Sequence, residues 1–377
     1  MAGIYIHIPF CKQACHYCDF HFSTNMKKKS QMVEALCNEI FLRKNEFKGE
    51  NIRTIYFGGG TPSVLSVSEI EQLVNSVYEN YRVISDPEIT LEANPDDLNN
   101  IAISELNKSP INRLSIGVQS FFEEDLKLMN RAHNAQEAQN CILTARSYFD
   151  NISIDLIYGI PGMSDERWKS NIEKALSFDV PHISSYALTV EPKTALKKFI
   201  EKGIVEDVDD EVAQRHFQIL NETLTNAGYS CYEISNFGKP GYFSKNNTAY
   251  WQQKRYIGIG PSAHSYNGEQ RGWNINNNSK YIESIEKNKV PIEVETLSTT
   301  DKYNEYVMTG LRTIWGVSLL RIKEDFGVNY RDYLISQAQK YIDEHLLFVD
   351  DDKLMTTNKG KFLADGIASH LFMLNLS

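Results

Sequence analysis

The stretch Ile4–Phe22, IYIHIPFCKQACHYCDFHF, contains the strongest indication of the fold. Its first residues, Ile4–Ile8, form an apolar run rich in β-branched side chains, and a proline follows directly. Three of the six cysteines come next, Cys11, Cys15 and Cys18, in the spacing C-x3-C-x2-C. The pattern predicts a strand followed by a loop that carries three thiols. Loops at strand ends are where functional groups gather.

Three thiols this close together share a metal, form a disulfide or are unrelated. The chain begins Met1-Ala2-Gly3 and enters the strand at once, so we expect no signal peptide and a reducing cytoplasmic setting, which favours metal binding. Zinc would need a fourth ligand, for which the candidates are His7, His16 and His21. A [4Fe-4S] cluster would take three thiolates and leave one iron open to a small molecule. Spacing alone leaves both metals open. The isolated cysteines are interpreted as buried apolar residues: Cys37, Cys141 and Cys231.

Length and composition limit the class of protein. At 377 residues the chain has room for one large domain and one small one. The hydrophobic content of 42% is enough for a packed core, and no apolar run approaches the roughly 18 residues of a membrane span. With 39 Lys and Arg against 49 Asp and Glu, the formal charge is −10. This charge argues against nucleic acid as a partner, because phosphate backbones bind basic surfaces.

Six apolar strands alternate with amphipathic helices between Ile4 and Val190. Such alternation predicts parallel β/α units with helices covering the sheet. Unusual residues fall at the strand ends: the cysteines after the first strand, three glycines after the second, and then Glu92, Gln119 and Asp155. Because chemistry gathers at the carboxyl ends of such strands, we expect an α/β fold, an incomplete TIM-like (β/α)6 barrel. A doubly wound open sheet is the alternative architecture.

The pattern changes beyond the sixth strand. Tyr229–Phe237 predicts a further strand, and from Thr299 the chain predicts helices, a hairpin around Asp350–Asp352 and a last helix. This order resembles a smaller α+β, winged-helix-like domain, although its acidic hairpin argues against DNA recognition. We therefore divide the chain into residues 1–230, the partial barrel, 231–298, a connecting segment with a candidate ligand site, and 299–377, the C-terminal domain.

Several strand-end residues have both a structural and a functional interpretation. Gly58–Pro62, GGGTP, is either a tight turn or a loop whose backbone groups hold a small zwitterion. Glu92 and Gln119 could simply cap neighbouring helices. Asp155 lies in an apolar strand, where a carboxylate needs a partner or a ligand. Arg131 is either a surface arginine or a partner for a ligand carboxylate.

Six motifs in this order resemble the HemN/HemW branch of the radical S-adenosylmethionine (SAM) superfamily. They are YIHIPFCxxxCxYCDF, GGGTP, EANPDD, RLSIGVQSF, MNRAHN and IDLIYGIPG. The match runs through Ile4–Tyr266, and the remainder resembles the small terminal domain of that branch. The resemblance implies a radical SAM barrel with a [4Fe-4S] cluster whose open iron chelates SAM. An electron donor is implied as well if SAM is cleaved.

The resemblance also implies site residues. The cluster ligands would be Cys11, Cys15 and Cys18. The SAM contacts would come from Tyr5, Gly59, Gly60, Thr61, Glu92, Gln119, Arg131 and Asp155. No catalytic residue is assigned.

Phe20 separates two kinds of protein within the branch. The coproporphyrinogen dehydrogenases carry a fourth cysteine two residues after the third, together with an N-terminal extension. Here that position is Phe20, and four residues precede Tyr5. Both departures favour the heme chaperones of the branch.

The heme chaperones also carry an H-N-x-x-Y-W motif associated with heme. Asn247, Tyr250 and Trp251 match it and mark the expected heme region, but Asn246 stands in place of the histidine. An amide is a poor iron ligand compared with imidazole, so an axial ligand must come from elsewhere. His264 is one candidate, although a hydrogen-bonded loop histidine is the simpler interpretation.

The resemblance therefore predicts a cytoplasmic heme chaperone that uses a [4Fe-4S] cluster and SAM. It would bind heme and pass it to acceptor proteins, with respiratory proteins among the candidates. The rival interpretation is an enzyme, either an oxygen-independent coproporphyrinogen III dehydrogenase or a radical SAM enzyme with another substrate.

Overall fold

The computed structural model describes residues 2–374. Six parallel strands lie side by side in the order in which they occur along the chain. They are β1 (Ala2–Ile8), β2 (Ile52–Gly59), β3 (Val83–Ala93), β4 (Arg113–Gln119), β5 (Ile152–Tyr158) and β6 (His182–Ala187). A doubly wound sheet reverses its strand order at a switch point, and this sheet does not, so the alternative architecture is wrong.

Helices cover the outer face of these strands. They are α1 (Lys29–Leu42), α2 (Val67–Asn80), α3 (Asn100–Leu106), α4 (Glu123–Leu128), α5 (Ala135–Arg146), α6 (Asp165–Ser177), α7 (Ala195–Glu201) and α8 (Asp210–Asn226). Local sequence fixes where several of them begin. Capping boxes start α2, through Ser66 and Glu69, and α5, through Asn134 and Glu137, because each side chain satisfies a free backbone N–H of the other residue.

Alternation along the strands separates an apolar surface from a polar one. In β1, Ile4, Ile6 and Ile8 are almost fully buried in the main hydrophobic core. Tyr5 and His7 alternate with them and therefore point to the opposite side of the sheet, toward the inside of the barrel. The interior of the barrel is accordingly polar.

A connecting segment extends the sheet on both sides. Its elements are β7 (Ser230–Glu233), β8 (Asn236–Gly238), α9 (Lys245–Trp251), β9 (Tyr256–Ile259), β10 (His264–Tyr266), β11 (Gln270–Asn274), α10 (Asn278–Glu286) and β12 (Ile292–Thr296). Strand β9 pairs in parallel with β1, and β8 pairs with β6. The twelve-stranded sheet ends at β12 on one side and β7 on the other, so the barrel is incomplete, as predicted.

The prediction of a single strand over Tyr229–Phe237 is wrong. The chain turns at Ile234 and Ser235, and β7 and β8 pair antiparallel. The backbone N–H of Ser235 donates to Oε1 of Glu233 at 3.0 Å, and this side-chain bond stabilises the turn. Nothing in the apolar character of the segment marks that reversal.

The C-terminal residues surround a second hydrophobic core of their own. Their elements are α11 (Thr299–Leu311), β13 (Val317–Ser318), α12 (Leu319–Phe326), α13 (Val328–Asp343), β14 (Leu347–Asp350), β15 (Lys353–Thr356) and α14 (Ala364–His370). The three strands form a separate sheet in the order β13-β15-β14. The order helix, strand, two helices and a hairpin is that of a winged helix, as expected. Within residues 2–374, no helix combines the length and the apolar character that crossing a bilayer requires.

Candidate functional site

The cysteine loop, residues 9–22, is fastened at its base. The Ser23 N–H donates to the Pro9 carbonyl at 3.0 Å, and the Cys11 N–H donates to the Ser23 carbonyl at 3.1 Å. Lys12 forms an ion pair with Asp97, which follows strand β3. These contacts keep the loop over the carboxyl ends of the strands.

A second segment holds the middle of the cysteine loop. The Nδ2 of Asn130 donates to the Ala14 carbonyl at 2.7 Å, and the Gln13 side chain donates back to the Asn130 carbonyl at 2.8 Å. The His16 N–H donates to the Met129 carbonyl at 3.1 Å. The motif MNRAHN therefore serves partly as a brace for the loop, a role that the sequence did not reveal.

The three thiols of the loop are free, and two of them accept hydrogen bonds. The Thr61 hydroxyl donates to Sγ of Cys11 at 3.3 Å, and Nη1 of Arg131 donates to Sγ of Cys15 at 3.2 Å. Burial raises the pKa of the Cys11 and Cys18 thiols to about 11. Metal binding at these thiols must therefore release protons. Outside the loop, Cys141 and Cys231 are buried as expected, whereas Cys37 is only half-buried.

The arrangement of donors bears on which metal the loop could hold. A zinc ion at the cysteine loop would need a fourth donor beside the three thiols. The histidines proposed for zinc have other partners: Nε2 of His7 bonds the His21 carbonyl, Nδ1 of His16 bonds the Leu128 carbonyl, and Nε2 of His21 bonds Asn278. A [4Fe-4S] cluster with one open iron takes three thiolates and no histidine. The donor set fits a cluster better than zinc.

The glycine loop after β2 packs directly against the cysteine loop. The Gly60 N–H donates to the Ile8 carbonyl at 2.9 Å, and the Thr61 N–H donates to the Phe10 carbonyl at 2.7 Å. A Cβ at Gly60 would lie 2.7 Å from the Phe10 oxygen and 2.9 Å from the Ile8 oxygen. Gly59 adopts a φ of +106°, which L side chains rarely adopt. Both glycines are therefore required by the backbone.

Arg131 joins the cysteine loop to the ends of β3 and β4. Its Nη2 donates to Oδ1 of Asn94 at 2.6 Å and to the Gly117 carbonyl at 2.9 Å. The Nδ2 of Asn94 in turn donates to the Thr61 hydroxyl at 3.3 Å. The Arg131 Nε is buried without a hydrogen-bond partner and is therefore available to an anionic group. Gln119, at the end of β4, is buried with a φ of +68°.

Two partly buried carboxylates lie deeper inside the barrel. The Tyr56 hydroxyl donates to Oε1 of Glu92 at 2.7 Å, and the Tyr56 ring stacks on Tyr5 with centroids 6.1 Å apart. The Ser115 hydroxyl donates to Oδ1 of Asp155 at 3.3 Å. Burial raises the pKa of Glu92 to about 7 and that of Asp155 to about 6. The pair therefore favours a cationic ligand, which would restore the charged form of both acids.

Helix α9, which carries the segment KNNTAYW, lies beneath this part of the barrel. The buried Glu88 carboxylate accepts from the backbone N–H groups of Lys245 and Asn246, both at 3.1 Å. The Thr54 hydroxyl donates to Oδ1 of Asn246 at 3.1 Å. Asn246, which replaces the histidine of the heme motif, is thus buried among barrel residues and has a structural role there. Asn247 lies in the first turn of α9, where its N–H donates to the capping Ser244 hydroxyl.

The other end of α9 borders a separate cleft of about 430 Å³ between the connecting segment and α11. Tyr250 and Trp251 line it, whereas Asn247 and His264 do not. The Arg312 guanidinium lies 4.8 Å from the Trp251 ring and links the two walls. The volume falls within the range of about 300–1,000 Å³ that is typical of small-molecule sites. The expected heme residues are therefore divided between the first turn of α9, which holds the half-buried Asn247, and the open cleft, which Tyr250 and Trp251 line.

The sequence patterns did not indicate several residues that the structure places in the site. Asn94 bridges Thr61 and Arg131, and Tyr56 holds Glu92. Asn94 belongs to a quoted motif but had no assigned role, because only the tertiary structure brings it to Arg131. The period-two alternation of β2 could have indicated Tyr56, since it shares a face with Gly58.

Comparisons with known proteins agree with this geometry. Residues 5–175 match the model of the radical SAM superfamily, and residues 297–363 match that of the HemN C-terminal domain. The solved structure of the coproporphyrinogen III oxidase HemN from Escherichia coli has a TM-score of 0.86 and covers 99% of this chain and 90% of its own, at 23% identity. This likeness shows the fold.

Curated relatives give the family. The heme chaperone HemW of Lactococcus lactis is 34% identical over 373 residues, which cover 96% of this chain and 97% of the relative. The heme chaperone HemW of Bacillus subtilis is 33% identical over 97% of this chain and 98% of the relative. That of Escherichia coli is 38% identical over 70% of this chain and 69% of the relative. The chain therefore belongs to the HemW family, within the radical SAM superfamily.

Proposed function

We propose that this chain is a heme chaperone that holds a [4Fe-4S] cluster and SAM in its barrel, binds heme, and transfers the heme to acceptor proteins. The main support for the proposal is a combination of two sites in one chain. The chain combines a cysteine loop suited to a cluster with a separate aromatic cleft suited to a flat porphyrin. We place this function in the cytoplasm. The barrel would end at residue 230, the connecting segment would cover residues 231–298, and the C-terminal domain would begin at residue 299.

Cys11, Cys15 and Cys18 would hold the cluster. Donation from Thr61 and Arg131 to the sulfurs supports this assignment, because hydrogen bonds to ligating sulfurs stabilise the thiolates and adjust the reduction potential of the cluster. When bound, the cluster and SAM supply one-electron chemistry. An electron donor is then a further partner.

The SAM contacts are proposed for three groups of residues. The glycine loop, Gly59, Gly60 and Thr61, would present backbone groups to the amino acid end, and the unpaired Arg131 Nε would receive the carboxylate. The cation-favouring acids Glu92 and Asp155 would face the positive charge of SAM. The remaining contacts would come from Tyr5 and Gln119.

Heme is the cargo in this proposal. Tyr250 and Trp251 would contact it in the cleft, and Asn247 would support them by holding the first turn of α9. Acceptor proteins, respiratory ones among the candidates, are the partners that receive it.

The rival function is the coproporphyrinogen III dehydrogenase. Against it, the side chain at the position where that enzyme carries a fourth cysteine is Phe20, which is 66% exposed within the cysteine loop. The test is anaerobic incubation of the reconstituted chain with SAM, a reductant and coproporphyrinogen III, in parallel with a heme titration. We expect no protoporphyrinogen, but a Soret shift and co-elution of heme. Protoporphyrinogen formation, or the absence of both heme signals, would contradict the proposal.

The cluster has its own test. Replacing Cys11, Cys15 or Cys18 with Ala should abolish the iron–sulfur absorbance of the anaerobically reconstituted protein, and Cys37→Ala, outside the loop, should retain it. A reconstituted protein that contains zinc and no iron would overturn the assignment.

A further inference from the structure

One face of helix α11 lines the cleft. Asp301, Asn304, Glu305 and Met308 recur at spacings of three and four residues, so they form one stripe along the helix, and all four line the cleft. The core-facing residues of α11, such as Tyr303, lie on the other side. Met308 and Phe372 also pack against the second hydrophobic core, so the cleft lies at the edge of that core.

The opposite wall of the cleft is aromatic. Tyr250 and Trp251 come from α9, and Tyr256 and Tyr266 come from β9 and β10. The rings of Tyr250 and Tyr256 contact edge to face, with centroids 4.5 Å apart. Phe372, after the last helix, adds a fifth ring to the lining. Such a wall fits a flat, conjugated ligand.

The thioether of Met308 is the notable group on the α11 stripe. No histidine or cysteine is found among the described residues that line the cleft, and Met308 is half-buried there. We propose that heme binds in this cleft with the Met308 sulfur as an axial ligand of the iron. The proposal rests on the proposed heme-chaperone function and deepens it. It also accounts for the loss of a motif histidine at Asn246, which lies inside the barrel and does not line the cleft.

The tyrosines that line the cleft could instead bind the heme iron as phenolates. Burial raises the pKa of Tyr256 to about 12, and it raises the pKa values of Tyr250 and Tyr266 as well. Ionisation of these hydroxyls is therefore disfavoured, whereas a thioether binds iron without losing a proton. Methionine is an established axial ligand of heme iron in proteins.

The charges around the cleft permit a dianionic ligand. The Asp301 carboxylate is used by the helix cap, where it accepts from the Ser298 N–H at 2.9 Å. Arg271 pairs with Glu305 at 2.9 Å and with Glu295 at 3.7 Å. The buried Nε of Arg271 has no hydrogen-bond partner and can receive a propionate. Both acids of the lining are thus engaged, and the Nε of Arg271 is the donor left for a propionate.

A single thioether in an open cleft suits a cargo that must be released. Methionine ligation raises the heme reduction potential, which means that it favours ferrous over ferric heme. The chain should therefore hold ferrous heme more tightly than ferric heme.

The test is anaerobic titration of the full chain with ferrous heme and with ferric hemin. The variants are Met308→Leu, which keeps the side-chain volume and removes the sulfur, and Met308→His. Met355→Leu, a half-buried methionine of the C-terminal domain outside the cleft, is the matched control, and Tyr256→Phe tests phenolate ligation. The readouts are the dissociation constants and the near-infrared sulfur-to-iron charge-transfer band of the ferric complex.

We expect the wild type and Met355→Leu to show the sulfur band and tighter ferrous than ferric binding. Met308→Leu should lose the band and bind ferrous heme at least about tenfold more weakly, and Met308→His should give an imidazole spectrum. If heme binds but Met308→Leu changes neither the band nor the affinity, or if Tyr256→Phe alone weakens binding, the ligand assignment is wrong and the chaperone function still stands. If the wild type binds no heme, both proposals fail.

Discussion

Arg131 shows what single residues contribute to the site and how far the sequence reveals it. Its motif made it a candidate, with a surface arginine as the simplest interpretation. The structure instead gives it bonds to Cys15, Asn94 and the Gly117 carbonyl. Those three partners lie on different loops and strands, so only the assembled barrel shows that Arg131 joins them. Asp155 could be identified from the sequence alone, because a carboxylate in an apolar strand needs a partner or a ligand.

Glu92 provides a test of the polar barrel interior. Burial raises its pKa from 4.5 to about 7, so the folded state favours its neutral form. The stability from this preference is present below about pH 4.5 and is lost as the pH rises through about 7. Glu92→Gln stays neutral, so the variant should become more stable relative to the wild type as the pH rises from about 5 to about 8. The expected difference is about 3 kcal/mol.

The measurement is denaturant unfolding of the apo protein at both pH values. Glu34→Gln, at an exposed position on α1, should follow the wild type. If the stability of Glu92→Gln runs parallel to that of the wild type across this range, the carboxylate is not held in the buried environment described.

Secondary-structure elements were predicted well where the local sequence determines them. The six barrel strands are apolar runs that glycine, proline or polar residues end, and their order follows from the alternation with helices. Helix α9 was not predicted, because Asn, Thr and Tyr are weak helix formers. Its first turn is instead stabilised by the Ser244 cap and by Glu88 from a distant strand. The reversal between β7 and β8 was missed for a similar reason.

The contact between the glycine loop and the cysteine loop can be tested with Gly60→Ala. The added Cβ would meet the backbone oxygens of Ile8 and Phe10, which cannot move away as a flexible side chain could. We expect a loss of about 1–3 kcal/mol in unfolding free energy and reduced iron and sulfide content after reconstitution. Gly366→Ala, at an exposed position of helix α14 where the added Cβ would have no neighbour within 4 Å, should be neutral or stabilising. Equal cluster content in the two variants would show that the close approach is not needed.

At the scale of the whole molecule, the barrel and the C-terminal domain are joined beside the cleft. The Ile234 N–H donates to the Arg312 carbonyl at 3.0 Å, and the Ile314 N–H donates to the Tyr232 carbonyl at 3.1 Å. The fold of each part was predictable from its own pattern of strands and helices. Their junction was not, because its contacts connect residues about 80 positions apart, such as Glu233 and Arg312.

Arg312→Met tests this junction. Arg312 pairs with buried Glu233 at 3.3 Å and with Asp365 at 2.6 Å, and it covers the Trp251 ring. Its loss leaves a buried carboxylate without a cationic partner, so we expect destabilisation of about 3 kcal/mol in urea unfolding. Arg331→Met removes an exposed pair with Asp332 and should change stability by less than about 0.5 kcal/mol. Similar effects of the two substitutions would contradict a structural role for the junction.

Transfer of heme tests the central claim most directly. The reconstituted, heme-loaded chain would be mixed anaerobically with membranes that contain heme-free respiratory cytochromes, and reduced-minus-oxidised spectra would follow cytochrome assembly. Free hemin at the same concentration is the control. Our account predicts that heme leaves the chain and that cytochromes assemble faster than with free hemin. Retention of the heme by the chain, or assembly no faster than with free hemin, would contradict it.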